Sequence, residues 1–321
     1  MTNQPETSTI RPSRWSDFTG QPQVVKSLQI AIQAAKSREE PMEHTLLYGP
    51  PGLGKTTLAH IIANEMGVNI KVTSGPALTR AGDLASILTA LEPGDVLFID
   101  EIHRLNKPVE EALYPAMEDF AIDIILGKGP AAKNLRLDLN PFTLIGATTQ
   151  AGRISSPLRD RFGIVHRLRF YEPKELQGII LKAAEKLKLK LDADSALEIA
   201  KRSRGTARIA LKLLRRVRDF NLVEHDSQSN LGITIKSLEF YEVDEEGLDE
   251  TDRRLLIAII DQHNGGPVGL ETLAALISES VDTISDLYEP YLLQSGFLSK
   301  TSRGRVATVK SYEHLGKTKS L

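Results

Sequence analysis

Gly49-Pro50-Pro51-Gly52-Leu53-Gly54-Lys55-Thr56 decides the fold. The octet fits the spacing Gly-x-x-x-x-Gly-Lys-Ser/Thr of a phosphate-binding loop. Its flanks are those such a loop requires: Leu46-Leu47-Tyr48 reads as a buried strand before it, and Leu58 to Met66 as a helix after it. Glycines allow the backbone to wrap a polyphosphate with N–H groups pointing inward. The following helix adds its positive N-terminal end. Lys55 is expected to reach the β- and γ-phosphates, and the Thr56 hydroxyl to ligate Mg²⁺. The competing reading, a Gly-rich turn that happens to carry a lysine, leaves the strand and helix on either side unexplained.

The second signal is Val96-Leu97-Phe98-Ile99-Asp100-Glu101. Four consecutive apolar residues imply a strand buried on both faces, as in a parallel sheet. Two carboxylates follow at its C-terminal end, where α/β folds place ligands. Asp100 is expected to hold Mg²⁺ through water, and Glu101 to polarise the attacking water. A third buried strand, Phe142 to Thr149, ends in hydroxyls that suit a γ-phosphate or water contact, or simply an N-cap. Leu158-Arg159-Asp160-Arg161-Phe162 then precedes a strand over Ile164 to Phe170. An arginine near a sheet edge can reach a neighbouring subunit's phosphate, although a solvated surface arginine is the commoner case.

Around these strands, Val24 to Lys36 has helical periodicity, Asn69 to Thr73 reads as a strand and Asp83 to Leu91 as a helix. Ile122, Ile124, Leu135, Leu137 and Leu139 alternate on either side of Gly127-Lys128-Gly129-Pro130, a hairpin pattern. Such a hairpin either projects as a partner surface or packs on its own domain.

The 321 residues suffice for two or three domains, and 41% apolar with 26% charged residues is ordinary for a soluble globular chain. A net charge of −2 means that nucleic-acid contact must come from a local patch. With no cysteine, disulfides, thiolate metal sites and a cysteine nucleophile are excluded. Met1 to Pro12 is polar, expected to be flexible, and lacks the apolar core of a signal peptide. No apolar run approaches membrane-spanning length, so the expected location is the cytoplasm.

From Glu172 to about Val243 the pattern is helical: Lys174 to Lys188, Ala193 to Arg202 and Arg208 to Phe220, then a polar loop at Asp226 to Gly232. This suits a small lid domain. Lys201 to Arg218 is strongly basic and reads mostly as a solvated or interface face. Asp244 to Asp249 is an acidic linker. Beyond it, Thr251 to His263, Leu270 to Ile277 and Val281 to Ser295 read as helices. Phe297-Leu298 and Arg305 to Val309 form a hairpin around Thr301-Ser302-Arg303-Gly304. Three helices and a basic hairpin describe a winged helix. Lys300, Arg303, Arg305, Lys310, Lys317 and Lys319 oppose only Glu313, a patch that favours phosphate backbone over base edges.

Taken together, these stretches resemble the AAA+ ATPases, and specifically the RuvB family of Holliday-junction branch-migration motors. The similarity runs from about Ile10 to Gly316. It rests on the long runs LLYGPPGLGKTTLAHIIANEMGVNIKVTSGPAL, GDVLFIDEIHRLNKPVEEALYPAMEDF, SPLRDRFGIVHRL, LLRRVRDF and GGPVGLETLAA. The resemblance implies a parallel-sheet AAA+ core over 13–171 with a partner-binding hairpin at about 120–140, a helical lid over 172–245 and a DNA-binding winged helix over 246–321. It implies ATP and Mg²⁺ as cofactors, with Ile10 and Arg11 on the adenine and ribose side. Gly52, Gly54, Lys55, Thr56 and Thr57 would then hold phosphates, Thr56 and Asp100 the metal, and Asp100 with Glu101 would be the Walker B pair. Thr149 falls at the first sensor, Arg161 at the arginine finger, and Arg208 at the second sensor. Glu118, Asp119, Phe120 and Tyr171 fall at nucleotide contacts. Lys300, Arg303 and Arg305 would meet DNA. The implied partners are duplex DNA at Holliday junctions, RuvA through the hairpin, RuvC, and further copies in a hexameric ring. Gln150, Ala207, Leu211, Lys300 and Ser302 depart from the usual family residues; the loss of a proline at Ala207 frees φ beside Arg208. Two other readings use the same ATP site: a slow clamp-loader-like or adaptor switch, and a nucleotide-stabilised scaffold without turnover.

Overall fold

The computed structural model describes residues 10–126, 133–224 and 229–318. The first nine residues, the expected turn at Gly127-Lys128-Gly129-Pro130, Asp226 to Gln228 and Lys319 lie outside the described residues. Two compact units are distinguished, Met1–Gly49 with Leu53–Arg169, and Pro50–Gly52 with Phe170–Leu321.

In the first unit five strands form one sheet: β1 Thr45–Tyr48, β2 Ile70–Ser74, β3 Val96–Asp100, β6 Thr143–Thr148 and β7 Ile164–Arg167. All pair in parallel, in the order β2-β3-β6-β1-β7. The register sets Tyr48 beside Thr148 and Ile99 beside Gly146, so the loops leaving β1, β3 and β6 emerge together at the carboxyl edge. β3 and β6 are the most apolar stretches because both faces are covered, and burying each such aliphatic side chain contributes roughly 1.5–3 kcal/mol. β7 stops at Arg167, short of the expected Phe170, because Leu168 N donates to Tyr48 O as the last link to β1. The helix expected over Asp83 to Leu91 is Ala81–Leu88; the Asp83 carboxylate accepts from the Arg80 and Thr79 amides at its start.

The core beside β6 contains His44. Its Nδ1 accepts from Leu144 N at 2.9 Å, so Nε2 carries the proton and donates to Met117 O at 3.0 Å. Burial holds this imidazole below the ordinary histidine value, against the pull of the Met117 hydrogen bond.

The hairpin forms, as β4 Ala121–Leu126 antiparallel to β5 Lys133–Asp138, a two-stranded sheet separate from the main one. Of the two alternatives raised for it, packing on its own domain is realised in part. Ile122 and Leu139 belong to the hydrophobic core and Leu137 packs against it, while Leu135 is exposed.

The second unit starts with the lid helices Pro173–Lys186, Ala193–Lys201 and Ala207–Glu224. A fourth helix, Leu231–Phe240, lies within the stretch expected to be helical but beyond the three helices delimited there. Asn230 caps it by accepting from Ile233 N, so the loop ends earlier than the polar composition suggested. The winged helix follows. Glu250–Ile257 continues into a π-turn Ala258–Gln262; Leu270–Ile277 comes next; then Val281–Thr283, a π-turn Ile284–Tyr288 and Glu289–Gln294 run on in sequence. The wing is β8 Leu298–Thr301 paired with β9 Gly304–Ala307, extended by a bridge between Val268 and Arg305. The strand expected to reach Val309 ends at Ala307, where Thr308 introduces one more helix, Val309–His314.

Candidate functional site

The loop has the backbone its glycines allow. Gly49, Gly52 and Gly54 all take positive φ, at 139°, 81° and 99°. At Gly49 a Cβ would lie 2.7 Å from Leu168 O, so a side chain there would break the seam between β1 and its neighbour. Gly54 in the left-handed region opens the helix Lys55–Met66, whose first residue is the lysine. Lys55 is only 7% exposed, and its Nζ donates to Gly49 O at 2.7 Å. The ammonium therefore lies folded back over the loop that would surround a phosphate. In the second unit, Arg208 N donates to Gly52 O at 3.3 Å, which sets the start of a lid helix against the loop's glycine.

At the ends of β3 and β6 the Glu101 carboxylate is organised by a histidine, His103, that the sequence did not single out. His103 Nδ1 lies 3.2 Å from Glu101 Oε2 and 2.8 Å from Thr148 Oγ1. Thr149 contributes two contacts to the same carboxylate oxygen, its Oγ1 at 3.2 Å and its amide at 3.4 Å. Burial pushes the Glu101 carboxyl up. The hydrogen bond from His103, the Thr149 amide and the charges of His103 and Lys55 outweigh it, and the group sits below the usual carboxylate value. Glu101 is thus held ionised, as a group that polarises water must be. Its backbone is in the left-handed region at φ 48°, uncommon for a non-glycine residue. Gly75 lies so close that a Cβ there would come within 2.4 Å of Glu101 O. The only signal for His103 in the sequence is its place two residues beyond the carboxylate pair.

Thr56, in the first turn of its helix, and Asp100, at the end of β3, are both half-buried. Among the described residues no group of three or more histidine or acidic side chains is placed to cage a metal. Thr56 and Asp100 each offer a hard oxygen of the kind a small divalent cation takes. Of the remaining expected nucleotide contacts, Ile10 and Tyr171 are buried, and Arg11 is exposed with its charge felt by His60.

A second cluster gathers around Arg161. Its guanidinium stacks on Tyr114 with 4.3 Å to the ring centroid, donates to Pro157 O at 2.6 Å and meets Glu118 Oε2 at 3.1 Å. Its side chain is 22% exposed, and its Nε finds no hydrogen-bond partner among the described residues. Glu110 accepts from both Tyr114 and Ser155 beneath the stack. Asp119 pairs with Arg136 of β5 at 2.7 Å, and Phe120 sits at φ 48°. Glu118, Asp119 and Phe120 thus belong with Arg161 and the hairpin base rather than with Lys55 and Glu101.

At the wing the three cations expected to meet DNA differ in their surroundings. The Arg305 guanidinium forms a two-pronged pair with Glu289 at 2.8 and 3.0 Å, and the two side chains are 13% and 6% exposed. It is directly opposite Lys300 across the hairpin, and Glu289 absorbs the repulsion that two adjacent cations would create. Lys300 and Arg303 are exposed.

Family comparison covers almost the whole chain. Residues 10–168 match the Holliday junction DNA helicase RuvB P-loop domain. Residues 171–244 match the RuvB AAA lid domain, and residues 245–316 the RuvB C-terminal winged helix domain. Among solved structures, the Thermotoga maritima RuvB Holliday junction branch migration motor is 53% identical, with a TM-score of 0.89 over 97% of this chain and 99% of that one. A point mutant of Thermotoga maritima RuvB is 54% identical, with a TM-score of 0.90 over 96% and 99%. The phosphate loop, the ordered Glu101 and the winged helix are thus parts of one machine: the chain belongs to the RuvB family of ATP-hydrolysing Holliday junction branch-migration motors.

Proposed function

We propose that this chain works as one subunit of a hexameric ring that encircles duplex DNA at a Holliday junction and binds ATP with Mg²⁺ between neighbouring subunits. Its segments divide the work: an ATPase core over 13–171, a lid over 172–245 and a DNA-gripping winged helix over 246–321. Lys55, Thr57 and the amides of the loop from Gly52 to Thr56 bind the phosphates, and Ile10, Arg11 and Tyr171 border the base and ribose. Thr56 and Asp100 would hold Mg²⁺, which when bound neutralises charge on the phosphates. Glu101 takes the proton of the attacking water, and Thr149 fixes the orientation of Glu101 as the first sensor. Arg161, with Glu118, Asp119 and Phe120 around it, faces the ATP of the next subunit and stabilises charge that develops on its γ-phosphate. Arg208 senses the nucleotide from the lid. Hydrolysis changes the angle of the lid, and Lys300 and Arg303 carry the phosphate backbone with it.

RuvA docks on the hairpin around the exposed Leu135, and RuvC works on the same junction. The setting is cytoplasmic recombination and repair of damaged DNA, including the SOS response. The observation that supports this reading best is the ionised Glu101 held by His103 and Thr149 at the same sheet edge as Lys55. The slow-switch reading is not favoured, because the family match includes the winged helix.

The test is ATP-dependent dissociation of a synthetic four-way junction, with and without RuvA. Arg161→Ala should keep nucleotide binding and lose hydrolysis by roughly a thousandfold or more. Normal turnover in that variant would eliminate the shared site.

A further inference from the structure

The basic run before and within the third lid helix reads from sequence mostly as a solvated or interface face, and two of its arginines are buried: Arg202 is 3% exposed and Arg204 is 6% exposed. Both reach into the acidic connector that leads to the winged helix. Arg202 Nη1 donates to Val243 O at 2.9 Å. Arg204 Nε donates to Gly247 O at 2.7 Å, and its Nη2 meets Asp249 Oδ2 at 2.8 Å and Asp252 Oδ2 at 2.5 Å. Asp249 and Asp252 form the capping box of the first winged-helix helix, Glu250–Ile257. A single guanidinium therefore holds the connector's backbone and the start of the next domain.

The rest of the connector is tied down too. Asp244 Oδ2 is bonded to His314 at 2.9 Å, and Asp244 Oδ1 accepts from the Leu248 amide. Glu246 O accepts from the Tyr291 hydroxyl, and Glu246 Oε2 from Lys310. Gly247 has no room for a side chain, since a Cβ would meet Arg202 O at 2.5 Å. The acidic linker is thus held by both its side chains and its backbone.

The other end of Arg204 sits in the turn that begins the lid helix Ala207–Glu224. The residue itself is in the left-handed region at φ 50°. Gly205 O accepts from Tyr171 N, Thr206 Oγ1 caps the helix by accepting from Ile209 N, and Arg208 N reaches Gly52 O. The turn is thus fixed by Tyr171 and Arg208, two positions expected at the nucleotide, while its arginine side chain is fixed in the winged helix. A buried ion pair of this kind adds little net stability, because desolvation offsets most of its attraction; its directional bonds fix a geometry.

We propose that Arg204 is a positioning residue of the motor: its buried fork to Gly247, Asp249 and Asp252 makes lid and winged helix one rigid lever, so that movement at Arg208 is delivered to the DNA grip. The inference rests on the reading above that hydrolysis moves the lid. It places the flexing point of the stroke outside residues 244–249.

The experiment uses the full chain. Arg204→Ala leaves Asp252 buried without its arginine, a change that endangers folding, so Arg204→Met with Asp252→Asn, which removes both members of that pair, is the companion variant. Thermal midpoint, duplex affinity at fixed salt, ATP hydrolysis and junction dissociation are measured on the same samples. The expected result is ATP hydrolysis and DNA affinity within about twofold of the parent, with junctions dissociated per ATP lower by about tenfold. Arg204→Lys with Asp252 intact should recover only part of this, since an ammonium cannot span Gly247 O and both carboxylates. An unchanged ratio of dissociation to hydrolysis would overturn the proposal. So would a parallel fall in both, which would make Arg204 a support of the ATP site instead. If the parent chain itself dissociates no junctions, it is the motor reading that fails, and the two failures are distinct.

Discussion

The nucleotide edge of the sheet and the tip of the wing are both charged, and they are built in opposite ways. At the sheet edge the important groups lie in short contiguous runs, and much of the recognition is done by backbone: Gly49, Gly52 and Gly54 in positive φ, with the amides at a helix start. At the wing the groups are side chains, and what each can do depends on distant partners. Arg305 is taken by Glu289, 16 positions earlier in the chain, whereas Lys300 beside it stays exposed. The contrast is between chemistry encoded locally and chemistry left over after folding.

The largest effect expected from this contrast is at the sheet edge. Glu101→Gln keeps the shape that accepts from Thr149 and removes the base, so phosphate release should fall by about a hundredfold or more with nucleotide affinity retained. A loss of affinity instead would mean that the carboxylate serves binding.

This division also explains what could be read from the sequence. The loop, the Asp100-Glu101 pair and the buried strands β3 and β6 were legible because each is a contiguous pattern with one physical solution. His103 was not, because its role depends on Thr148 arriving from another strand. The basic residues of the lid looked equivalent until folding buried Arg202 and Arg204 and left others at the surface. The helix Leu231–Phe240 was hidden behind a polar composition that its Asn230 cap belongs to, and the helix Val309–His314 was mistaken for the end of a strand.

At the wing the comparison can be broken with three single changes. Arg305→Ala strands a buried Glu289 and should cost about 3 kcal/mol of winged-helix stability, read from denaturant unfolding. Equal stability with weaker DNA binding would return Arg305 to the DNA face. Lys300→Ala and Arg303→Ala should leave stability nearly unchanged, and each should reduce the salt slope of duplex binding by about 1.

The smallest effect concerns the core. His44 is kept neutral by burial, below the ordinary value of 6.5. A base whose folded value is depressed contributes stability that is fully present above 6.5 and is lost as pH falls through that value toward the folded one. Unfolding midpoints between pH 7.5 and 5 should therefore decline on acidification, and His44→Gln should flatten that part of the curve. A parent midpoint that rises on acidification would place the charged imidazole inside the core.

Gly75 lies behind Glu101, the carboxylate proposed to activate water, and packs against its backbone. Because a Cβ there would come within 2.4 Å of Glu101 O, the position admits no side chain unless that backbone shifts. A search for tuning positions in this motor should therefore begin behind the proposed reacting groups, where an added carbon would move Glu101 and leave the side chains of the phosphate loop unchanged.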